Sequence, residues 1–187
     1  MFDPQRHYAI LGLARSGIAA AYKIKELGAT AFLSELRSQS EFHNAAELQR
    51  DFNCEFGGHT DKLMTCDTWI VSPGIPLDLP LFYQARQNGV KLISEIEFGW
   101  LIKHKDSRVI AVTGSNGKST TASLIQHLLK NMGYRSILAG NIGSALCAHP
   151  IQNPGLDFLV LEVSSFQLDL CDSFKPDVAV LLNITPD

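Results

Sequence analysis

A glycine-rich turn followed by a lysine and two hydroxyl residues is the strongest chemical signal in the sequence. The run from Ile110 to Thr121 reads Ile-Ala-Val-Thr-Gly-Ser-Asn-Gly-Lys-Ser-Thr-Thr. An apolar strand, a glycine turn and the start of a helix form the layout of a phosphate-binding loop, in which backbone N–H groups, the lysine and the next hydroxyl bind phosphates and Mg²⁺. The candidate nucleotide-binding residues are Gly114, Ser115, Asn116, Gly117, Lys118, Ser119 and Thr120.

The match to the strict phosphate-loop motif is partial. The motif has a glycine five residues before Gly117, where this chain has Val112. The alternative interpretation is a tight turn from strand to helix that binds no ligand.

A second chemical signal is an acid near the end of an apolar strand. Residues 158–163 are apolar except for Glu162. A carboxylate at the end of a buried strand is costly without a cation or donors nearby, and in a phosphate-loop protein that cation is usually the Mg²⁺ of the nucleotide. Glu162 is therefore predicted to be a metal ligand. The alternative is a glutamate that pairs with a lysine or caps a helix.

A second glycine turn lies near the N-terminus. Gly12 and Gly17 stand between an apolar run and a helical pattern, and Glu35 follows about twenty residues later, at the end of the next strand. An acid at that position binds a ribose in dinucleotide-binding folds, although the middle glycine of that fingerprint is replaced by Ala14. A solvated loop glutamate is the alternative for Glu35. Arg37 is predicted either to serve a phosphate or to lie in solvent.

These signals lie in a chain whose strands and helices alternate, which predicts an α/β fold with mostly parallel sheets. A rigid Ser-Pro-Gly-Ile-Pro turn follows the strand at 68–71, at the edge where such sheets bind ligands. The predicted strands are 8–11, 29–33, 68–71, 91–93, 109–112, 136–139, 158–163 and 178–182, of which 109–112, 158–163 and 178–182 are expected to be buried. The predicted helices include 41–52, 79–88 and the one after Gly117.

Composition limits the function classes. The 187 residues carry a formal net charge of −3 and no basic stripe, which gives no support to a nucleic-acid partner. The four cysteines are widely spaced and are predicted to be buried thiols in a reducing compartment, without a structural metal. No signal peptide or membrane span is evident, so a cytoplasmic protein is predicted.

Taken together, the motifs resemble the ATP-dependent Mur ligases of bacterial peptidoglycan synthesis. Thr-Gly-Ser-Asn-Gly-Lys-Ser-Thr is similar to the variant phosphate loop of that family, which lacks the strict first glycine. Gly-Asn-Ile-Gly at 140–143, Glu-Val-Ser-Ser-Phe-Gln-Leu at 162–168 and Asn-Ile-Thr-Pro-Asp at 183–187 resemble the branch of the family that adds D-glutamate. The resemblance covers the whole chain.

The resemblance implies substrates, cofactors and roles for individual residues. The substrates would be UDP-N-acetylmuramoyl-L-alanine, D-glutamate and ATP, with Mg²⁺ as cofactor and a monomeric enzyme. Lys118, Glu162 and Asn141 would be catalytic, and Ser119 and Glu162 would hold the metal. The implied substrate-binding residues are Ser16, Glu35, Arg37, Ser72 and Gly74 for the UDP part, and Asn141, Ser164 and Gln167 for the remainder.

The resemblance also implies the domain organisation. Residues 1–93 would form a Rossmann-like UDP-sugar domain, and residues 94–187 the first half of a P-loop ATPase domain. The amino-acid-binding C-terminal domain of the family would be absent, so the chain alone is expected to be inactive. Two other function classes stay open: an NAD-dependent oxidoreductase that uses the first glycine turn, and a nucleotide-binding module without chemistry.

Overall fold

The protein contains two parallel-sheet units, and the computed structural model describes residues 2–185. The chain divides between Glu95 and Ile96. Each unit has its own sheet with helices packed on it, which confirms the predicted α/β class. Within residues 2–185, no helix is long and apolar enough to cross a lipid bilayer.

The first unit contains a five-stranded parallel sheet in the order β3-β2-β1-β4-β5. This is the strand order of doubly wound nucleotide-binding folds, in which ligands bind beyond the carboxyl ends of the strands where the order reverses. The reversal here lies between β1 and β4. The strands are β1 (His7–Leu11), β2 (Thr30–Glu35), β3 (Asn53–Phe56), β4 (Thr68–Val71) and β5 (Lys91–Ile93).

The helices of the first unit are α1 (Arg15–Glu26), α2 (Ala45–Asp51) and α3 (Pro80–Gln87), with 3₁₀ turns at Gln39–Glu41 and Asp61–Thr65. The predicted helix at 41–52 was wrong at its start. A capping box between Ser38 and Glu41 closes a single 3₁₀ turn there, and the α-helix begins only at Ala45. Strand β3 was not predicted, because its four residues, Asn-Cys-Glu-Phe, show little hydrophobic alternation.

The second unit contains a four-stranded parallel sheet in the order β7-β8-β6-β9. Val112, Ala122 and Val160 form a fully buried cluster between the sheet and the helix that follows the phosphate loop. The elements are α4 (Glu95–Ile102), β6 (Arg108–Thr113), α5 (Lys118–Asn131), β7 (Ser136–Gly140), a 3₁₀ turn (Leu146–Ala148), β8 (Phe158–Glu162), α6 (Ser165–Leu168) and β9 (Val178–Leu181).

One helix of the second unit was not predicted, and two predictions, on β9 and on the cysteines, need correction. Helix α4 was not predicted, because its sequence Glu-Ile-Glu-Phe-Gly-Trp-Leu-Ile is apolar on most of its circumference and has no 3.6-residue period. Strand β9 was expected to be buried, yet three of its four residues are exposed, since in the described chain it pairs with β6 on one side. Cys66 and Cys147 are buried as predicted, whereas Cys54 and Cys171 are partly exposed.

Candidate functional site

The carboxyl ends of three neighbouring strands bring the predicted catalytic residues of the second unit together. Strand β8 lies between β6 and β7, and Glu162 at its end is in register with Val112 on one side and with Gly140 on the other. The phosphate loop leaves β6 at this edge, and Asn141 follows β7 at the same edge. Sequence reasoning had placed all three features at strand ends, and the parallel register makes them neighbours.

The phosphate loop depends on glycine at both of its glycine positions. Gly114 has φ +137°, and a Cβ there would come within 3.0 Å of the Asn183 carbonyl oxygen. Gly117 has φ +83° and stands immediately before the first residue of α5. Any other residue would be strained at both positions, because L-amino acids disfavour positive φ. The turn thus brings the start of α5 to the strand edge.

Lys118 folds back over the loop. Its Nζ donates hydrogen bonds to the carbonyl oxygens of Gly114, at 2.6 Å, and of Ser115, at 2.9 Å. The ammonium group therefore lies at the loop itself, beside the positive end of the α5 dipole. A positive charge held on a glycine turn at a helix N-terminus is suited to binding phosphate.

The backbone N–H groups of the loop are already partly used. Ser115 N–H donates to the Asn183 carbonyl oxygen, and Asn116 N–H donates to Asn183 Oδ1. These are two of the groups that were predicted to bind phosphate. Gly117 and Thr120, also among the predicted nucleotide-binding residues, are exposed.

Glu162 is the most constrained acid at this edge. It is only 2% exposed, and its two oxygens accept hydrogen bonds from Ser119 Oγ, at 2.7 Å, and from Asn141 Nδ2, at 2.9 Å. Both of these donors are neutral, so neither cancels the negative charge of the buried carboxylate. A divalent cation would compensate it.

The donor atoms at this position fit Mg²⁺. A carboxylate and a hydroxyl are hard oxygen ligands, which Mg²⁺ prefers, and this ion usually completes its octahedron with phosphate oxygens and water. Ser119 and Glu162 are the residues that would hold it. Within residues 2–185, no three His, Cys, Asp or Glu side chains are grouped to hold a metal ion.

Gly140 positions Asn141 against the acid. Gly140 has φ +103°, and a Cβ there would overlap the carbonyl oxygen of Glu162. This close approach allows Asn141 N–H to donate to the same carbonyl oxygen at 2.8 Å, while the Asn141 side chain reaches the carboxylate. Asn141 therefore binds both the backbone and the side chain of Glu162.

Ser164 and Gln167, predicted to bind substrate, form the capping box of α6. Gln167 N–H donates to Ser164 Oγ at 3.3 Å, and Ser164 N–H donates to Gln167 Oε1 at 3.0 Å. Gln167 is 5% exposed. In this structure both side chains fix the turn that follows β8, and their contact with substrate stays a prediction.

In the first unit, Glu35 holds the first glycine turn. Its carboxylate accepts the Leu13 N–H at 2.7 Å, and both the N–H and the Nε of Arg37, at 3.1 and 3.0 Å. Burial raises the pKa of Glu35, but the hydrogen bonds from Arg37 and Leu13 outweigh it, and the pKa is lowered overall. The carboxylate therefore stays ionised and holds the turn in place.

The other predicted UDP-binding residues of this unit follow the strands on either side of the reversal in strand order. Ser72, after β4, donates from its Oγ to the Gly12 carbonyl oxygen at 2.7 Å, which ties together the turns after β1 and β4. Ser16 lies in the first turn of α1, and Gly74 is exposed with φ +89° in the turn after β4. This is the edge where a nucleotide binds in folds of this topology.

Sequence reasoning missed a polar cluster between β2 and β3. Ser34 Oγ donates to Glu55 Oε1 at 2.5 Å and lies 2.6 Å from His59 Nδ1. Burial lowers the pKa of His59, although Glu55 opposes the shift. No motif in the sequence marks these residues, because they become neighbours only through the pairing of β2 with the unpredicted β3.

A cavity of about 600 Å³ lies at the opposite, amino-end edge of the first sheet. Its lining includes His7, Thr30 and Asn53, the first residues of β1, β2 and β3. It also includes Cys54, whose pKa is raised by burial to about 11. This cavity is separate from the edge that carries Glu35 and Ser72, so it does not belong to the predicted UDP site.

Comparisons with known proteins identify relatives of both units. A model of the MurD-like N-terminal domain of Mur ligases matches residues 6–94, and a model of the Mur ligase middle domain matches residues 112–187. The chain is 41% identical over 184 residues to UDP-N-acetylmuramoylalanine–D-glutamate ligase of Salinibacter ruber. It is 44% identical over 179 residues to the enzyme of the same name from Cytophaga hutchinsonii. Each alignment covers 95% of this chain, which spans about two fifths of these relatives, 39% and 40% of their lengths.

Solved structures share the fold. The UDP-N-acetylmuramate-alanine ligase MurC of Thermotoga maritima has a TM-score of 0.59 at 20% identity, over 98% of this chain and 42% of that one. The UDP-N-acetylmuramate:L-alanyl-gamma-D-glutamyl-meso-diaminopimelate ligase of Neisseria meningitides has a TM-score of 0.60 at 19% identity, over 97% of this chain and 61% of that one. At these identities the likeness concerns fold alone. Together, the two matched domain models account for most of the sequence, and the chain belongs to the Mur ligase family.

Proposed function

We propose that this chain is part of an ATP-dependent ligase that adds D-glutamate to UDP-N-acetylmuramoyl-L-alanine in peptidoglycan precursor synthesis. Support comes from relatives about 40% identical that are named UDP-N-acetylmuramoylalanine–D-glutamate ligase, and from the family models matched by both units. Because the chain spans about two fifths of those relatives, the proposal concerns the activity of a longer protein. The chain by itself is expected to bind ligands without turnover.

The observation that carries the proposal is the position of Glu162. The buried carboxylate of Glu162 accepts a hydrogen bond from the hydroxyl of Ser119, the residue that follows the phosphate-loop lysine. In a turn that needed no ligand, a carboxylate buried beside two neutral donors would cost free energy to desolvate, a cost that the positive end of the α5 dipole offsets only in part. A nucleotide with Mg²⁺ explains why this acid lies here.

The proposed reaction has two steps. The terminal carboxylate of UDP-N-acetylmuramoyl-L-alanine attacks the γ-phosphorus of ATP; a carboxylate oxygen–phosphorus bond forms, the bond to ADP breaks, and ADP leaves. The amine of D-glutamate then attacks the acyl carbon of this acyl phosphate through a tetrahedral intermediate. The amide bond forms, inorganic phosphate leaves, and the amine loses a proton. The first step brings two anions together, so catalysis requires charge compensation and alignment.

The residues of the second unit supply both. Lys118 would compensate the charge of the β and γ phosphates from its position over the loop. When bound at Ser119 and Glu162, Mg²⁺ would withdraw negative charge from the phosphate oxygens. Asn141, held against Glu162 by two hydrogen bonds, would face the substrate near its reacting carboxylate.

The residues of the first unit would bind the UDP part: Ser16, Glu35, Arg37, Ser72 and Gly74. Glu35 accepts the Leu13 N–H of the glycine turn and so fixes the turn at this edge. The family of both units argues against the NAD-dependent oxidoreductase. Ser164 and Gln167 are proposed to line the path between the sugar and the reacting carboxylate.

The finer properties follow from the same assignment. ATP and Mg²⁺ are the proposed co-substrate and cofactor, and the protein is proposed to act in the cytoplasm as a monomer, without nucleic-acid or membrane partners. Its product would serve cell-wall synthesis and hence cell shape and division. Residues 1–93 are proposed as the UDP-sugar domain and residues 94–187 as part of the ATP-binding domain.

The test is release of ADP by the full-length enzyme. We expect release to require both UDP-N-acetylmuramoyl-L-alanine and D-glutamate, and L-glutamate to serve as the stereochemical control that supports no turnover. ATP binding without turnover under any combination of these substrates would instead indicate a nucleotide-binding module without chemistry. Release that depends on another amino acid would place the protein in a different branch of the family.

A further inference from the structure

The segment after β9 is held against the phosphate loop, and the proposed function has given it no role. Strand β9 pairs with β6 up to Thr113, and Leu182 N–H donates to the Thr113 carbonyl oxygen. The chain therefore arrives at the loop in register with the strand that precedes it. The next residue, Asn183, is exposed and lies directly beside Gly114.

Asn183 binds two consecutive peptide groups of the loop. Its backbone carbonyl oxygen accepts the Ser115 N–H at 3.0 Å. Its side chain accepts the Asn116 N–H at Oδ1, at 2.9 Å, and donates from Nδ2 to the Asn116 carbonyl oxygen, at 3.0 Å. The side-chain amide thus pairs with both polar groups of one residue, as a neighbouring strand would.

Other contacts reinforce this pairing from both sides. Thr185 N–H donates to Ser115 Oγ at 3.0 Å, one residue before Asn116. Lys118 binds the carbonyl oxygens of Gly114 and Ser115 from within the loop. Asn183 therefore holds the N–H groups of Ser115 and Asn116 and the Asn116 carbonyl group, and the lysine holds the carbonyl groups of Gly114 and Ser115. Together these contacts fix the orientation of the peptide planes.

We propose, on the basis of the function proposed above, that Asn183 is a positioning residue that holds the loop between Gly114 and Gly117 in the conformation that receives the triphosphate of ATP. Asparagine suits this role because its side-chain amide places an acceptor and a donor side by side, at equal distances from the backbone. Aspartate would present two acceptors, and one of them would face the Asn116 carbonyl oxygen, which needs a donor. Preorganisation of this kind raises affinity because the loop need not be ordered when the ligand binds.

The test compares Asn183→Ala and Asn183→Asp in the full-length enzyme. Both variants lose the bond to the Asn116 carbonyl oxygen, and Asn183→Asp also adds a negative charge near the anion site. Loss of one to two neutral hydrogen bonds predicts a KM for ATP that rises on the order of 10-fold, with at least as large an effect for Asn183→Asp. The KM for UDP-N-acetylmuramoyl-L-alanine and the Tm are expected to stay at the wild-type values, because Asn183 is exposed and lies outside the core.

Asn131→Ala is the matched control. Asn131 is an exposed asparagine at the end of α5, with a side-chain contact to His127 2.9 Å away, and its replacement should leave both KM values unchanged. An unchanged KM for ATP in both Asn183 variants would overturn the positioning role, as would unfolding of both variants at the assay temperature. If the wild-type enzyme itself shows no ATP-dependent ligation, the proposed function fails instead, which keeps the two failures distinct.

Discussion

Two buried glutamates of the second unit offer a sharp test of which contacts serve catalysis and which serve the fold. Glu162 is 2% exposed and accepts hydrogen bonds from the side chains of Ser119 and Asn141. Glu97 is 0% exposed, and its carboxylate accepts from Ser173 N–H, Ser173 Oγ and Phe174 N–H. We predict that replacement by glutamine has opposite consequences at the two positions.

Glu162→Gln is expected to preserve the fold. The amide oxygen can accept from Asn141, and the new NH₂ can donate to Ser119, whose hydroxyl can rotate to accept it. Loss of two charge-assisted bonds, about 1–1.5 kcal/mol each relative to neutral ones, is offset by removal of a buried charge. We therefore expect a net stability change of no more than about 1–2 kcal/mol. Activity should fall about 10²- to 10³-fold, as on removal of one electrostatic group from a catalytic site.

Glu97→Gln is expected to lower the stability of the fold and to leave the catalytic activity unchanged. The carboxylate uses both oxygens as acceptors, so the new NH₂ must face either Phe174 N–H or the Ser173 donors. A buried donor that faces another donor, together with the loss of charge-assisted bonds, costs about 2–4 kcal/mol. This corresponds to a fall in Tm of roughly 5–15 °C for a chain of this size. The specific activity of the folded fraction should remain near wild type.

The assay pairs thermal unfolding of the chain with ADP release by the full-length enzyme at rising Mg²⁺ concentration. For Glu162→Gln we expect a nearly unchanged Tm and a higher half-saturating Mg²⁺ concentration, and for Glu97→Gln a lower Tm and an unchanged Mg²⁺ dependence. Full activity of Glu162→Gln at low Mg²⁺ would refute the argument that this acid belongs to the nucleotide site. So would an equal loss of stability in both variants.

Three further predictions follow from single contacts. Lys118→Ala should abolish ligation by the full-length enzyme and leave its affinity for the UDP-sugar unchanged, and calorimetry that shows comparable loss of both would contradict the proposed division of labour. Gly140→Ala should lower Tm and activity together, since its Cβ would overlap the carbonyl oxygen of Glu162 and φ is +103°; a variant with wild-type activity would disprove that close approach. Because hydrogen bonds from Arg37 lower the pKa of Glu35 against the effect of burial, its stabilising contribution is complete above about pH 4.3 and is lost as the pH falls through the lowered pKa. Urea unfolding between pH 5 and pH 3 should therefore show a weaker pH dependence in Glu35→Gln, and equal slopes would count against this contribution.

Much of the fold could be predicted from local patterns. Apolar runs, several of them followed by a glycine turn, predicted eight of the nine described strands, because a buried parallel strand needs a continuous apolar stretch. The failures have physical causes. Helix α4 is apolar on most sides and lacks a period, and β3 is short and mixed in character, so neither carries a pattern that a local rule can detect.

The candidate site was predictable in its members but not in its contacts. Glu162 was singled out because a carboxylate at the end of an apolar strand requires an explanation, yet its pairing with Ser119 and Asn141 depends on the strand order of the sheet. No contact was predicted for Asn183 for the same reason, since 64 residues of chain lie between Thr113 of β6 and Val178 of β9. Parallel register, which a local reading of the sequence does not supply, determines these contacts.

We propose that this chain binds a UDP-sugar as part of a D-glutamate-adding ligase, and calorimetric titration tests that binding most directly. The chain would be titrated with UDP-N-acetylmuramoyl-L-alanine, with UDP and with NAD⁺ under the same conditions. We predict binding of the sugar nucleotide and of UDP, with no heat of binding for NAD⁺. Binding of NAD⁺ alone would contradict the account and would mean that the first glycine turn serves a redox enzyme.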